Sequence, residues 1–205
     1  MKRSFSAFLL SALGFLAFAE DPTIIDDWSK VQAPSPPELT AVKIDPKTTA
    51  LLLLDFEART VDSRPRAVAT LPRIKKLLDL ARASGMLVAY STTGAGSPAT
   101  ILADLKPRSE EHVVKASVDK FFDTDLEAYL KGKGITQVIV TGVVAEGAVL
   151  GTSIGASLRG FKVIVPVDGT ASSSLYAEQY VAWHLQNAPG VRGNVTLTRC
   201  DSIGL

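Results

Sequence analysis

Apolar positions along the chain follow two alternating rhythms. Short apolar runs, TALLLLDF (49–56), MLVAYSTT (86–93), HVVK (112–115), QVIVTG (137–142), KVIVPVD (162–168) and VTLTR (195–199), have the length of strands, and the continuous ones suit strands covered on both faces. Between them apolar residues recur at helical spacing. Leu71, Ile74, Leu77, Leu78 and Ala81 run up to Gly85, and AVLGTSIGASLRG (148–160) and YAEQYVAWHLQN (176–187) read as later helices. Thr124 with Glu127 three residues on predicts a capping box opening a helix through Tyr129 to Lys131, closed by Gly132 and Gly134. Residues 94–108 read as an irregular loop holding a short helix around 98–105. Regular alternation of strand and helix predicts a three-layer α/β/α fold, an open, mostly parallel six-stranded sheet with helices on both faces. Ligands of such sheets bind beyond the carboxyl ends of the strands, which singles out Asp55, residues 91–96, Lys115, residues 143–148 and Asp168.

Two stretches stand outside this rhythm. Residues 1–19 have a basic start, an apolar run from Phe5 to Phe18 and Ala17-Phe18-Ala19 before Glu20 and Asp21, the pattern of a secretory signal with an A-x-A cleavage site. The other reading, an uncleaved anchor, needs a run nearer the roughly 20 residues of a bilayer span. The expectation is an exported protein, periplasmic or secreted, starting near Glu20 and without stable membrane insertion after cleavage. Residues 20–46 are rich in proline and lack a sustained period, so they read as an arm ahead of a single domain at 47–205.

Composition narrows the chemistry. A formal charge of +1, with Lys2 and Arg3 inside the signal segment, leaves no basic footprint for nucleic acid. There is no G-x-G-x-x-G fingerprint or P-loop, and His112 and His184 have no ligand partners at metal-site spacing, so no cofactor or metal is implied. Both histidines read as packing or surface residues. Cys200 is the single cysteine, so no internal disulfide supports the domain. Asp55 closes an entirely apolar strand. Partial desolvation there raises a carboxyl's pKa and suits it to proton transfer, whereas a nearby ammonium would hold it ionised. The plainer readings are a polar residue marking a strand end for Asp55 and an exposed strand-end lysine for Lys115. Gly147, Gly151 and Gly155 recur every fourth residue and fit close packing against a second subunit or, preferably, the sheet; a homo-oligomer stays open. Arg59, Arg64 and Arg66 read as a solvated loop.

The order of these pieces resembles the isochorismatase-like hydrolase family, also called the cysteine hydrolase superfamily, which has a Rossmann-like plan. LLLLDF, then K-ASVDK-FFDTDL, then TGVVAEGA followed by RGFKVIVPVDG, cover residues 48–201 in the family's sequence. The resemblance implies that Asp55 is the catalytic carboxylate. It implies that Lys115, six residues before Phe121, is the catalytic lysine, with Lys120 as its rival. It implies a cis peptide at Val143-Val144 and an oxyanion hole formed by the amides of Val144 and Ala148. The family's nucleophilic cysteine falls on Ala148, which has no group to attack a carbonyl, so covalent thiol catalysis is ruled out at that position. Isochorismatases themselves are similar in lacking the thiol, and Ala145 and Ala148 match their small residues. Glu146 stands where the family commonly has Asn, at a helix start that favours a carboxylate. Glu146, Lys120, Phe56 and Phe121 are candidates for substrate binding.

The expected function is therefore an exported hydrolase acting on a small-molecule substrate through an Asp/Lys acid-base site. General acid catalysis of this kind contributes about 10² to 10⁴-fold. The alternative is a non-catalytic small-molecule-binding pseudoenzyme of the same fold.

Overall fold

The run after Thr48 is continuously apolar because neither of its faces meets water. In the computed structural model, which describes residues 21–205, every residue of Thr49–Leu54 is buried at the middle of the sheet. The expected signal segment lies outside the described residues. Contacts divide the chain into residues 1–34 and a compact unit, Ser35–Leu205. Within the first, Asp26 accepts bonds from the Thr23 amide and hydroxyl, and Trp28–Lys30 forms one 3₁₀ turn.

In the compact unit the strands are β1 Val42–Lys43, β2 Thr49–Leu54, β3 Leu87–Thr92, β4 His112–Lys115, β5 Gln137–Val143, β6 Lys162–Pro166, β7 Thr170–Ala171, β8 Val195–Thr198 and β9 Ile203–Gly204. The helices are α1 Ala58–Val61, α2 Pro65–Ala83, α3 Leu126–Gly132, α4 Leu150–Leu158 and α5 Leu175–Asn187. The main sheet runs β4-β3-β2-β5-β6-β8, all parallel, with β7 paired to the end of β5. Strand alternation sorts its side chains into two cores. Leu52, Leu54, Val114, Val140 and Val163 pack with Leu126, Leu130, Ala156, Val181 and Leu185 of α3, α4 and α5. Leu51, Leu53, Tyr90, Ile139 and Ile164 pack with Ile74, Leu77 and Leu78 of α2. Each such buried side chain contributes roughly 1.5–3 kcal/mol relative to exposure.

The structure departs from the sequence-based expectation in short elements. The sheet has a seventh strand, β7, and β1 pairs with β9 in a separate two-stranded sheet, so ordered structure starts before residue 47. Two-residue strands have no period to read. The short helix around 98–105 is two 3₁₀ turns, Pro98–Thr100 and Ala103–Leu105. The capping box at Thr124 does not form. Helix α3 starts at Leu126, and the Thr124 hydroxyl donates to the Lys120 carbonyl at 2.6 Å and accepts from the Leu126 amide at 3.3 Å.

Candidate active site

The chain winds outward from β2 through β3 to β4, then crosses to β5 on the other side of β2. The carboxyl ends of β2 and β5 therefore form the switch point where open α/β sheets hold ligands. Leu54 is paired with Gly142, so Asp55 and Val143 follow side by side at the carboxyl ends of β2 and β5. Alternation alone would aim Asp55 toward α2, with Leu51 and Leu53. Instead its backbone takes a left-handed conformation, φ 55°, which Asp tolerates better than most residues. This re-aims the carboxylate: Oδ1 accepts from the Ser91 hydroxyl and Oδ2 from Lys120 Nζ, each at 2.7 Å. Asp55 is 5% exposed and Lys120 1%. Burial pushes the Asp55 carboxyl above the usual carboxylate range; the charge and hydrogen bond of Lys120 and the Ser91 hydroxyl pull it back only in part, and the Glu57 carboxylate adds to the rise.

The ammonium at the carboxylate is thus Lys120, and the assignment of that role to Lys115 is corrected. Lys115 pairs with Thr92, one residue beyond the Ser91–Val114 pair, so alternation puts it on the sheet face opposite Ser91. It is exposed at the strand end. Lys120 comes instead from the turn after β4, where its Nζ also donates to the Ser117 carbonyl at 2.5 Å. That turn rests on α4. The glycine stripe faces it and not the sheet: a Cβ on Gly151 would lie 3.1 Å from the Val118 carbonyl, and one on Gly155 would lie 2.4 Å from Asp119 Oδ1.

On the β5 side the Val143-Val144 peptide is cis. Gly142, at φ 157°, lets β5 approach β2 so closely that a Cβ would sit 2.6 Å from Leu54 Cβ. The next turn, Ala145–Val149, is a π turn leading directly into α4. Bonds back to the Val144 carbonyl come from Gly147 at 3.2 Å and from Val149, five residues on, at 3.4 Å. A turn this wide passes over the Ala148 amide, a donor suited to a developing negative oxygen. Ala148 is buried and Val144 half-buried. Glu146 is exposed and accepts a 2.9 Å bond from the buried Ser172 hydroxyl, tying the turn to the segment before α5.

Other candidates fall elsewhere. Phe56 and Phe121 are not substrate walls: Phe56 is buried in the α2-side core, and Phe121 packs in the other core, stacked on Phe161. Their apolar surface is used in folding. Asp168 accepts from the Cys200 amide at 2.8 Å and faces Arg73. Arg66 pairs with Glu178, and Arg64 bonds the Thr60 carbonyl. His112 stacks on Tyr129 and bonds Asp125, while His184 meets Tyr180. Two contributors escaped the sequence reading, Thr152 of α4 and Glu57. Glu57 is fully buried; its carboxylate accepts from the Thr93 amide at 2.8 Å and the Thr100 hydroxyl at 2.7 Å, with Gly96 packed directly on it. Burial raises its pKa, but those bonds and the charge of Arg59 outweigh it and the net shift is downward. Its one signal is position, a second carboxylate two residues past Asp55.

The arrangement sets a buried carboxyl of raised pKa against an ammonium at the end of β2, beside the β5 strand end that carries the Val143-Val144 cis peptide. Comparison with known proteins identifies the family and the fold. The isochorismatase domain model matches residues 49–198. Two curated relatives from Streptomyces noursei, both named streptothricin hydrolase, are 33% identical over 142 residues (62% of this chain, 51% of the relative) and 32% identical over 170 residues (76% and 63%). The chain thus spans between half and two thirds of their length. An isochorismatase-like hydrolase from Alkaliphilus metalliredigens shares the fold, with a TM-score of 0.68 at 24% identity over 75% of this chain and 95% of that one.

Proposed function

The chain belongs to the isochorismatase family of hydrolases, and on that premise we propose that it hydrolyses a small molecule through Asp55 and Lys120 without a thiol nucleophile. The observation that carries this reading is the 2.7 Å bond between two side chains almost wholly removed from water at the switch point. Asp55, its pKa raised by burial, delivers a proton to the leaving group or orients the attacking water. Lys120 balances charge on Asp55 as the proton leaves. The amides of Val144 and Ala148 donate to the oxygen on which negative charge develops. Ala148 offers nothing to attack with, so water is the nucleophile and no acyl-enzyme forms. We extend the proposal to action outside the cytoplasm, supported by the signal-like pattern of residues 1–19.

The test is product analysis of the purified protein against enol ethers, amides and ureas, with streptothricin in the panel because of the two relatives' names. Asp55→Asn is expected to lower any turnover by about 10² to 10⁴-fold. Activity that survives in both Asp55→Asn and Lys120→Met would end the proposal. Ala148 favours a second reading, a binding protein of the same fold. A compound from the panel that raises Tm yet is never consumed supports that one.

A further inference from the structure

Lys120 reaches Asp55 from a turn, where no sheet ladder holds the backbone, so something else must fix it. We infer that Thr152, seated beside the glycine face of α4, is the positioning residue for the Lys120 ammonium; this rests on reading Asp55 and Lys120 as the working pair. The Thr152 hydroxyl is fully buried and bridges the turn, accepting from the Lys120 amide and donating to the Val118 carbonyl, both at 3.3 Å. The Thr124 hydroxyl holds the Lys120 carbonyl from the other side at 2.6 Å. Gly147, Gly151 and Gly155 then let residues 118–119 lie on the helix backbone. One turn further, Arg159 closes the bed: it donates to Asp119 at 3.3 Å and to the Gly155 carbonyl at 3.0 Å, and its guanidinium lies 5.1 Å from the centre of the Phe121 ring. With its amide and carbonyl both pinned, Lys120 starts from a fixed main chain, and its Nζ is then held by Asp55 and the Ser117 carbonyl. Geometry held in advance is what an acid-base pair requires.

Thr152→Val removes the hydroxyl while keeping the branched shape, and Thr152→Ser keeps the hydroxyl. The experiment is acetylation of the full chain with acetic anhydride, read lysine by lysine by peptide mass spectrometry, with Tm recorded for each variant. In the unmodified protein Lys120 is expected to react about tenfold or more slowly than exposed Lys115, since labelling a buried amine requires local opening. Thr152→Val is expected to speed Lys120 several-fold, by about three to ten times, with Lys115 unchanged, and Thr152→Ser to behave like the parent. Lys120 reacting as fast as Lys115 in the parent, an unchanged Lys120 rate in Thr152→Val, or a uniform rise at all lysines would each overturn the inference. Because no turnover is needed, a failure here is distinct from a failure to find a substrate. Where a substrate is known, a shift in the pH midpoint of kcat in Thr152→Val, restored in Thr152→Ser, adds a readout that simple loss of stability would not move.

Discussion

Asp55 and Glu57, two residues apart, are perturbed in opposite directions, and their pH signatures should be opposite. Asp55 binds its proton more tightly folded than unfolded, so its contribution to stability is present below the ordinary value of 3.8 and is lost as pH rises through the raised folded value. In the proposed role of proton donor, Asp55 should lose activity over the same rise, read as the pH profile of kcat. Glu57, held low by the Thr93 amide and Thr100 hydroxyl, stabilises the fold above 4.5 and loses that contribution as pH falls through its lowered value. Glu57→Gln should cost about 1–3 kcal/mol in urea unfolding at pH 7 and less below pH 4.5. An equal cost at both pH values would contradict the charge-based account. The ion pair gives a second contrast. Asp55→Asn leaves Lys120 buried without its counter-charge, a change that typically costs about 3–5 kcal/mol. Lys120→Met should cost less, since a carboxyl of raised pKa left without its ammonium can take up a proton and become neutral. Lys115→Ala, at an exposed strand end, should leave stability within about 0.5 kcal/mol. Asp55 was legible because an acid ends an all-apolar strand. Lys120 was named only as the rival of Lys115, because strand periodicity ends at residue 115 and a turn's direction is set by the helix beneath it.

Among the elements, the long ones were readable and the connections were not. Burial on both faces makes β2 a run of apolar residues and α2 a stripe, and both patterns survive in the sequence. The β5-to-α4 connection depends on contacts that no local pattern encodes: a glycine against Leu54, a π turn, and a glycine stripe against a distant turn. The stripe was readable as a close contact, but its partner was not. Gly142 and Gly134 separate the two reasons for glycine. At Gly134, φ 75°, a Cβ would meet nothing within 4 Å, so Gly134→Ala should cost only the left-handed penalty, about 1–2 kcal/mol. At Gly142 the Cβ would also lie 2.7 Å from the Leu54 carbonyl oxygen, and the main chain of a central strand cannot move aside. Gly142→Ala should therefore cost about 1–3 kcal/mol more through overpacking, measured by urea unfolding of both variants. Equal costs would mean that the β2–β5 contact yields easily.

At the scale of the whole molecule, the sheet separates the site from the single thiol. Ala148 belongs to the core shared with α3, α4 and α5, whereas Cys200 belongs to the core under α2 on the opposite face, beyond β6 and β8. Burial pushes the Cys200 thiol up, the nearby Asp168 carboxylate adds to the rise, and Gly169 packs against its sulfur. Such a thiol is protonated and poorly reachable, the reverse of an activated nucleophile. Iodoacetamide should therefore modify the folded protein slowly at pH 7.5 and fully only after unfolding in urea, with mass spectrometry reporting the single adduct. Cys200→Ala should hold turnover, or ligand-induced stabilisation, within about twofold of the parent, because distant sites with no shared partners act independently. Inactivation that tracks alkylation of Cys200 in the folded state would require sulfur chemistry to reach across the sheet, and would return the Asp55–Lys120 pair to a purely structural role.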